Sequence, residues 1–274
     1  MKVLLILILI IIFIYLYSIK PNNARKQALV PYHKKYIAHR GFHNNEDVPE
    51  NSLLAFKKAV ENDYGIELDI QLTTDDQLVV FHDTSLQRMC GIDKNLVDCS
   101  YKELQEYSLL NTKHKIPLFS DVLKCLKKDT PLIIEIKSDG RYIETTKKVV
   151  QMMRNYDGLY NIESFNPLVV KYLKDHEPDI IRGQLSYNYL IDKNSKINLF
   201  LKFIATNLLF TFYSKPDYIA YDINNMHNLS FKIISRIYKG ECVAWTVKSK
   251  TELEKARQYY QTFIFDSFIP DQPL

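Results

Sequence analysis

Short apolar runs alternate with amphipathic stretches over most of the chain, from residue 36 to residue 274. Such alternation of strand-like and helix-like patterns predicts a parallel sheet with helices outside it. Eight or nine strands over this length favour a closed (β/α)8 TIM barrel, which needs about 250 residues. The predicted strands are Tyr36–His39, Gly65–Ile70, Leu78–His82, Leu132–Lys137, Tyr160–Phe165, Ile180–Leu185, Tyr218–Tyr221, Cys242–Val247 and Thr262–Phe265. The predicted helices are Ser52–Asn62, Ser120–Lys127, Arg141–Arg154, Pro167–His176, Leu229–Tyr238 and Thr251–Tyr260.

The beginning of the chain is a separate apolar segment. An unbroken apolar and aromatic run extends from Val3 to Tyr17, and Ile19 lengthens it. As a helix, residues 3–19 would span roughly 25 Å, against about 30 Å for the hydrocarbon core of a bilayer. No convincing A-x-A cleavage site follows the run. We therefore expect an uncleaved transmembrane helix over residues 1–19, with a removed signal peptide or a buried helix as the alternatives.

Positive charge is concentrated near the N-terminus. Residues 1–35 hold six basic and no acidic residues, whereas 30 basic residues face 32 acidic ones in the remainder. The net charge of +4 therefore does not indicate a nucleic-acid partner, and no basic stripe interleaved with aromatic residues is found. We interpret residues 20–35 as a basic linker against anionic membrane lipid. Basic residues lie on both sides of the apolar run, so the side of the membrane on which the domain lies stays open.

Polar and charged residues interrupt five of the predicted strands near their ends. In a TIM barrel the carboxyl ends of the strands meet at one face, where the active site lies. We therefore expect these side chains to converge. They are His39 and Arg40, Glu67 and Asp69, His82 and Asp83, Glu135 and Lys137, and Glu163 and Ser164.

Two of these carboxylates indicate a metal site. Glu67 and Asp69 are two residues apart in one strand, so their side chains point to the same face. Two carboxylates on one face repel each other unless a cation or a shared proton separates them. Oxygen ligands suit Mg²⁺ or Ca²⁺, and Glu135 on a later strand could be a third ligand. A solvated strand face would give the same local pattern.

Two histidines are candidates for proton transfer. His39 and His82 each end a predicted strand. One could be the general base and the other the general acid in a displacement at phosphorus, although a lone histidine is more often structural. The five other histidines, His43 among them, have no such setting. We expect them to be surface or loop residues.

Two cations lie beside these groups. Arg40 offers a fork of donors and Lys137 a point charge, and both suit a phosphate oxyanion. The alternative is that they neutralise Asp83 and Glu135 in ion pairs. No G-x-S-x-G elbow and no glycine-rich phosphate loop is found, which argues against acyl transfer and nucleotide binding. The four cysteines form no C-x-x-C pair, so we expect free thiols, with a Cys90–Cys99 disulfide as the alternative.

A longer ordered set of motifs runs through residues 36–270. Each motif is unspecific alone, but the order is specific and resembles the glycerophosphodiester phosphodiesterase (GDPD) family. The resemblance implies a TIM-barrel catalytic domain over residues 36–274, a divalent metal (Mg²⁺ or Ca²⁺), and hydrolysis of glycerophosphodiesters to glycerol 3-phosphate and an alcohol. The motifs are Ile-Ala-His-Arg-Gly at 37–41, Pro-Glu-Asn-Ser at 49–52, Glu-Leu-Asp at 67–69, His-Asp at 82–83, Ile-Pro at 116–117, Glu-Ile-Lys at 135–137, Ser-Phe at 164–165 and Trp-Thr-Val at 245–247.

The resemblance also implies a role for each site residue, and an attack on phosphorus by the substrate's own glycerol 2-hydroxyl followed by hydrolysis of a cyclic phosphate. Two positions depart from the family pattern. Lys248 replaces the usual Asn after Trp-Thr-Val, and Ile-Phe-Asp-Ser at 264–267 replaces Ile-Thr-Asp, which puts the leaving-group pocket in doubt. The implied roles are His39 and His82 as the acid/base pair, Glu67, Asp69 and Glu135 as metal ligands, Arg40 and Lys137 as phosphate ligands, Trp245 as a substrate contact (or plain barrel core), and Glu50 as a supporting residue.

One further segment, Ile197–Tyr213, is unusually apolar and carries a single charge, Lys202. It is either a barrel helix packed on the sheet or a helix that exposes Phe and Leu to lipid near the active-site mouth. Lipid contact would suit a lysophospholipid substrate. Two other functions remain as alternatives: a related phospholipase D or lyase that releases a cyclic phosphate, and a catalytically silent barrel that binds lipid head groups.

Overall fold

Eight parallel strands close into a barrel in the computed structural model, which describes residues 1–138 and 140–271. The first strand pairs with the second on one side and with the last on the other, so the eight parallel strands form a closed ring. The predicted TIM barrel is thereby confirmed, and the last three residues of the predicted domain lie outside the described part. The strands are β1 Ile37–Ala38, β2 Gly65–Leu72, β3 Leu78–Val80, β4 Leu132–Ile136, β5 Tyr160–Ser164, β6 Arg182–Ser186, β7 Tyr218–Asp222, β8 Glu241–Val247 and β9 Thr262–Phe265.

Helices cover the outside of the barrel. Apolar side chains alternate along β2 and face these helices: Ile66, Leu68 and Ile70 are buried with Phe56 in the layer between the sheet and the helices. The residues between them on β2 point into the barrel. A π-helical turn, Ile233–Ile237, continues the tenth helix. The helices among the described residues are α1 Lys2–Ile19, α2 Leu53–Glu61, α3 Gln87–Cys90, α4 Tyr101–Leu104, α5 Phe119–Leu123, α6 Tyr142–Met153, α7 Pro167–His176, α8 Leu199–Thr206, α9 Thr211–Ser214, α10 Leu229–Lys232 and α11 Lys250–Ala256.

Strand β3 differs from the prediction. The run Leu78–His82 was expected to join the parallel sheet, but β3 lies antiparallel to β2 and ends at Val80. Only residues 73–77 connect the two strands, and a parallel crossover needs a dozen residues or more. The chain therefore turns back on itself, and His82 follows this short ribbon instead of ending a barrel strand.

Residues 20–35, predicted as a linker, are folded against the barrel. They contain a 3₁₀ segment, Lys26–Lys34, in which Leu29 and Tyr32 are 4% and 1% exposed. Both side chains belong to a cluster with Ile37 and Tyr218, residues at the starts of β1 and β7. The segment thus closes the end of the barrel where the strands begin, and the folded unit starts before residue 36.

Helix α1 is exposed along most of its length, and only 6% of it is buried in the protein. Its last turn docks on the barrel: the hydroxyls of Tyr15 and Ser230 are 2.8 Å apart, and the Tyr238 hydroxyl donates to the Leu16 carbonyl over 2.9 Å. Ile19 is fully buried. The helix is long and apolar enough to cross a membrane, a test that a signal sequence also passes.

The apolar segment Ile197–Tyr213 forms α8, a turn and α9. It packs on the barrel through the buried Thr206 and Leu208. Its outer side exposes large apolar side chains, which we call the α8–α9 face. This face is continuous with α1, because the rings of Tyr17 and Phe212 lie 6.5 Å apart. The exposed residues are Leu199, Phe200, Leu201, Phe203, Phe212 and Tyr213.

We predict that Tyr32→Ala destabilises the fold. Removing a fully buried aromatic ring from the cluster at the start of the strands is expected to cost about 3–5 kcal/mol of unfolding free energy. The measurement is urea unfolding of the full chain in detergent. Lys34→Ala, an exposed position in the same 3₁₀ segment, should stay within about 0.5 kcal/mol of the parent. Equal stability of the two variants would make residues 20–35 a mere linker.

Candidate active site

Three buried carboxylates lie together inside the barrel at the carboxyl ends of β2 and β4. The strand register places Asp69 directly beside Glu135, and Glu67 one pleat further back on the same face of β2. One oxygen from each side chain lies within 4.8 Å of the others. The sequence predicted this convergence, and the solvated strand face is excluded because all three residues are buried.

The electrostatics of this cluster fit a divalent cation. Burial, together with the charges of Asp69 and Glu135, raises the pKa of Glu67 well above its usual value. Burial also raises the pKa of Glu135. The pKa of Asp69 is instead held below its ordinary value, because nearby cations outweigh its burial. Three acidic oxygen ligands that disfavour one another's ionisation are the donor set that Mg²⁺ or Ca²⁺ takes.

Two cations flank the carboxylates. The Lys137 ammonium is 2.8 Å from Glu135 Oε1 and 3.4 Å from Asp69 Oδ1. The Arg40 backbone N–H donates to Glu67 Oε2 over 3.0 Å, while its side-chain Nε lies 3.5 Å from Asp69 Oδ2. Arg40 contacts both Glu67 and Asp69 from a left-handed backbone conformation, with φ 54°. In residues other than glycine this conformation costs roughly 1–3 kcal/mol. Lys137 does pair with Glu135, as one alternative expected, but Arg40 does not pair with Asp83.

Asp83 pairs with Arg88, a residue to which the sequence analysis gave no role. Arg88 joins two parts of the site: its guanidinium donates to Asp83 Oδ2 over 2.6 Å and to Glu50 Oε1 over 2.6 Å. Glu50 in turn accepts from Arg40 over 2.7 Å. The two arginines outweigh the effect of burial and lower the pKa of Glu50 to about 2. Glu50 thus fixes the position of the Arg40 side chain through this hydrogen bond.

His82 is fixed through the same network. Although burial alone would raise it, hydrogen bonds from His82 and Arg88 hold the pKa of Asp83 below its usual range. An ionised carboxylate can only accept, so Nδ1–H of His82 donates to Asp83 Oδ1 over 2.7 Å. The lone pair or proton at Nε2 is thereby left for a substrate.

His39 directly follows β1, and β1 lies next to the last strand, β9. The Ala38–Phe265 pairing of β1 and β9 brings Asp266 beside His39, and Nδ1 of His39 faces Asp266 Oδ2 at 3.5 Å. Burial outweighs this partner and lowers the pKa of His39 to about 4. The imidazole is therefore neutral at pH 7, with a free lone pair on Nε2.

His43, expected to be a surface or loop residue, does lie in a loop, but its side chain is buried. Its side chain is only 7% exposed, and Nε2 lies 3.6 Å from Asp266 Oδ1. Asp266 was noted only as part of a departure from the family pattern, yet it faces both histidines. Closure of the predicted barrel could have indicated that His39, His43 and Asp266 lie together, since the first and last strands of a barrel are neighbours.

Trp245, on β8, packs against Phe165 and Tyr187, two of the residues that line an apolar cavity of about 630 Å³. Its ring meets Phe165 at 5.3 Å and Tyr187 at 6.4 Å between centroids. Within the described residues, its indole N–H is buried without a hydrogen-bond partner. Ser138, next to Lys137, forms the polar end of the cavity, and Leu201, Phe210 and the rings of Phe165, Tyr187 and Tyr189 line its apolar part.

The four cysteines are free thiols, as predicted, and none lies in this site. Cys99 and Cys242 are buried, and Cys90 and Cys125 are partly buried.

Comparison with known proteins gives one family. The model of the glycerophosphoryl diester phosphodiesterase family matches residues 39–266. Glycerophosphodiester phosphodiesterase 1 of Bos taurus is 25% identical, over 93% of this chain and 83% of that protein. Lysophospholipase D GDPD1 of Homo sapiens is 32% identical over 45% of this chain and 42% of that protein. The crystal structure of a glycerophosphodiester phosphodiesterase from Parabacteroides distasonis superposes with a TM-score of 0.67, at 25% identity, over 85% of this chain and 92% of that one.

We predict that Glu67→Gln stabilises the metal-free protein and abolishes its response to Mg²⁺. The raised pKa of Glu67 means that the folded state binds more protons than the unfolded one above pH 4.5, so this carboxyl costs stability as the pH rises. The amide has no such cost. With Mg²⁺ at about 100 times its Kd, the parent should gain about 2.7 kcal/mol, or roughly 5–10 °C in Tm.

The measurement is thermal unfolding at pH 8, with chelator and with Mg²⁺. Glu254→Gln, which removes a largely exposed carboxylate, is the matched control and should keep the Mg²⁺ response. A Glu67→Gln variant that still gains stability from Mg²⁺ would contradict the assignment.

Proposed function

The chain belongs to the glycerophosphoryl diester phosphodiesterase family, and we propose that it cleaves glycerophosphodiesters at a divalent metal site with His39 and His82 as the acid/base pair. It is an enzyme, a glycerophosphodiester phosphodiesterase. The observation that supports this proposal most is that each imidazole faces an aspartate through Nδ1, at 3.5 Å from Asp266 for His39 and 2.7 Å from Asp83 for His82.

The metal ligands in this proposal are Glu67, Asp69 and Glu135. Mg²⁺ or Ca²⁺ bound there would offset the negative charge that develops on the phosphoryl oxygens. Arg40 and Lys137 add to this from the protein side, since a guanidinium and an ammonium both bind phosphate oxygens. Their positions are set before substrate arrives, because each is already held by a buried carboxylate.

The two histidines divide the proton transfers. His39, neutral at pH 7, accepts the proton of the substrate's glycerol 2-hydroxyl on Nε2, and that oxygen attacks phosphorus. His82, oriented by Asp83, donates a proton from Nε2 to the oxygen of the departing alcohol. In the second step the roles reverse: His82 takes a proton from water, the water oxygen attacks the cyclic phosphate, and His39 returns its proton to the 2-oxygen. The products are glycerol 3-phosphate and the alcohol.

The apolar cavity supports a diester with a hydrophobic group, such as a lysophospholipid. Its polar end lies at Ser138, beside the phosphate ligand Lys137, and its apolar part extends to Phe210. The human relative named lysophospholipase D supports the same substrate class. Trp245 would donate its free indole N–H to the bound substrate.

The membrane is the second proposed partner. Helix α1 would anchor the enzyme as a single N-terminal span, and the α8–α9 face, which adjoins Tyr17 of that helix, would rest on the lipid. Exposed Phe and Leu side chains on a helix next to a span are what an interfacial segment offers to a bilayer. This arrangement would bring the mouth of the cavity to a lipid substrate.

We predict that His39→Ala and His82→Ala each lower the rate of choline release about 10²–10⁴-fold, the usual contribution of acid/base catalysis. The assay uses the full chain with glycerophosphocholine and lysophosphatidylcholine, in Mg²⁺, in Ca²⁺ and in chelator. His227→Ala, at an exposed histidine, should keep the parent rate. Release that is unaffected by chelator would contradict the metal site, and accumulation of a cyclic phosphate without hydrolysis would favour the lyase alternative.

We also predict that Phe203→Ser and Phe210→Ser lower activity on micellar lysophosphatidylcholine more than on soluble glycerophosphocholine. Phe203 belongs to the α8–α9 face and Phe210 lines the cavity, and neither touches the carboxylates in the arrangement described. The matched control is Ile269→Ser, an exposed apolar residue outside this face. Equal losses on both substrates would contradict the lipid contact.

A further inference from the structure

A second set of metal-ligating side chains lies at the junction of β1 and β9, apart from the three carboxylates. His39, His43 and Asp266 each offer one ligand atom, and these atoms lie within 4.8 Å of one another. Nδ1 of His39 is 3.5 Å from one Asp266 oxygen, and Nε2 of His43 is 3.6 Å from the other. Ligands of a tetrahedral Zn²⁺ ion, at 2.0–2.2 Å from the metal, are spaced by roughly 3.3–3.6 Å. The group therefore needs little movement to hold an ion.

The buried state of His43 points to a missing ligand. The side chain is more than nine-tenths buried, yet neither ring nitrogen has a hydrogen-bond partner among the described residues. A buried polar group without a partner is rare in native proteins and costs about 1–3 kcal/mol. The backbone two residues before His43 is closely packed, since a Cβ at Gly41 (φ 82°) would lie 2.9 Å from Ala55.

The site is accessible and has a selective donor set. It borders a cavity of about 480 Å³, lined also by Asn44, Ser267 and Phe268, through which an ion can enter. Two imidazole nitrogens and one carboxylate suit Zn²⁺, whereas Mg²⁺ and Ca²⁺ prefer oxygen ligands only. Three protein ligands leave a fourth position for water. The two sites thus differ in the metals that they select.

We infer that His39, His43 and Asp266 form a second metal site that takes Zn²⁺, and that its occupation inhibits hydrolysis. The inhibition rests on the proposed function, in which Nε2 of His39 accepts a proton. When Nδ1 gives its lone pair to the metal, the single proton of the neutral ring must reside on Nε2. His39 then has no lone pair for the glycerol 2-hydroxyl, so the same imidazole cannot bind zinc and be the base.

The experiment uses Co²⁺ as a spectroscopic substitute for Zn²⁺, on the full chain in detergent with saturating Mg²⁺. A four-coordinate ion with nitrogen ligands gives a visible absorption much stronger than that of six-coordinate cobalt among oxygens. We expect this absorption in the parent and in Glu67→Gln, which retains the histidine site, and its loss in His43→Gln. The Zn²⁺ concentration that halves activity should rise at least about tenfold in His43→Gln, since even indirect partners of a metal ligand change affinity 10–100-fold. Asp266→Asn, which keeps the volume of the side chain, provides a second variant for the binding measurement should His43→Gln fold poorly.

Each of the other outcomes contradicts either the second metal site or its inhibition of hydrolysis. Absence of the four-coordinate absorption in the parent, or its survival in both His43→Gln and Asp266→Asn, contradicts the second site. Zn²⁺ inhibition that excess Mg²⁺ relieves, and that His43→Gln leaves unchanged, shows that zinc acts at the three carboxylates. Cobalt that binds at the histidines while hydrolysis continues at full rate leaves the site standing but contradicts both the inhibition and the role of His39 as base.

Discussion

The barrel closes through a very short contact, and the site depends on that closure. Strand β1 has only two residues in the ladder, yet these two pair with β2 on one side and with β9 on the other. The pairing with β9 brings Asp266 to His39, and the backbone just after β1 donates to Glu67 on β2. So short a strand has little hydrogen bonding of its own. Strand β1 is held instead at the end of the barrel where the strands begin, because Ile37 packs there with Leu29 and Tyr32.

The site itself is an arrangement of charges that cannot all be satisfied by protein alone. Five ionisable groups, Glu67, Asp69, Glu135, Arg40 and Lys137, lie in the buried end of the barrel. The two cations partly balance the three carboxylates, and in the proposed function both would also bind phosphate. Buried charges are stable only when they are paired. The proposed affinities for metal and for phosphate would therefore have one origin, the incomplete charge balance of this cluster.

Sequence reasoning found the parts of the site that follow from periodicity. The alternation of Glu67 and Asp69 with apolar neighbours fixes an inward face on any strand, and Glu135 follows from the same rule. It failed where position depends on closure or on turns. His43 and Asp266 are far apart in the chain and meet only because the last strand returns to the first. His82 was assigned to a barrel strand because an apolar run does not show its direction, which the short connection before it determines.

The docked end of α1 has a consequence for how this enzyme would meet its substrate. A flexible tether lets a catalytic domain sample a wide volume above a membrane, whereas a stiff, packed connection confines it to one height and one tilt. The contacts of Tyr15, Leu16 and Ile19 with the barrel make the connection stiff. With α1 in a bilayer, encounter with lipid becomes a search in two dimensions, in which substrates diffuse laterally to a stationary opening. Water-soluble diesters would gain nothing from that geometry, so membrane composition and not bulk concentration would set the rate on lipids.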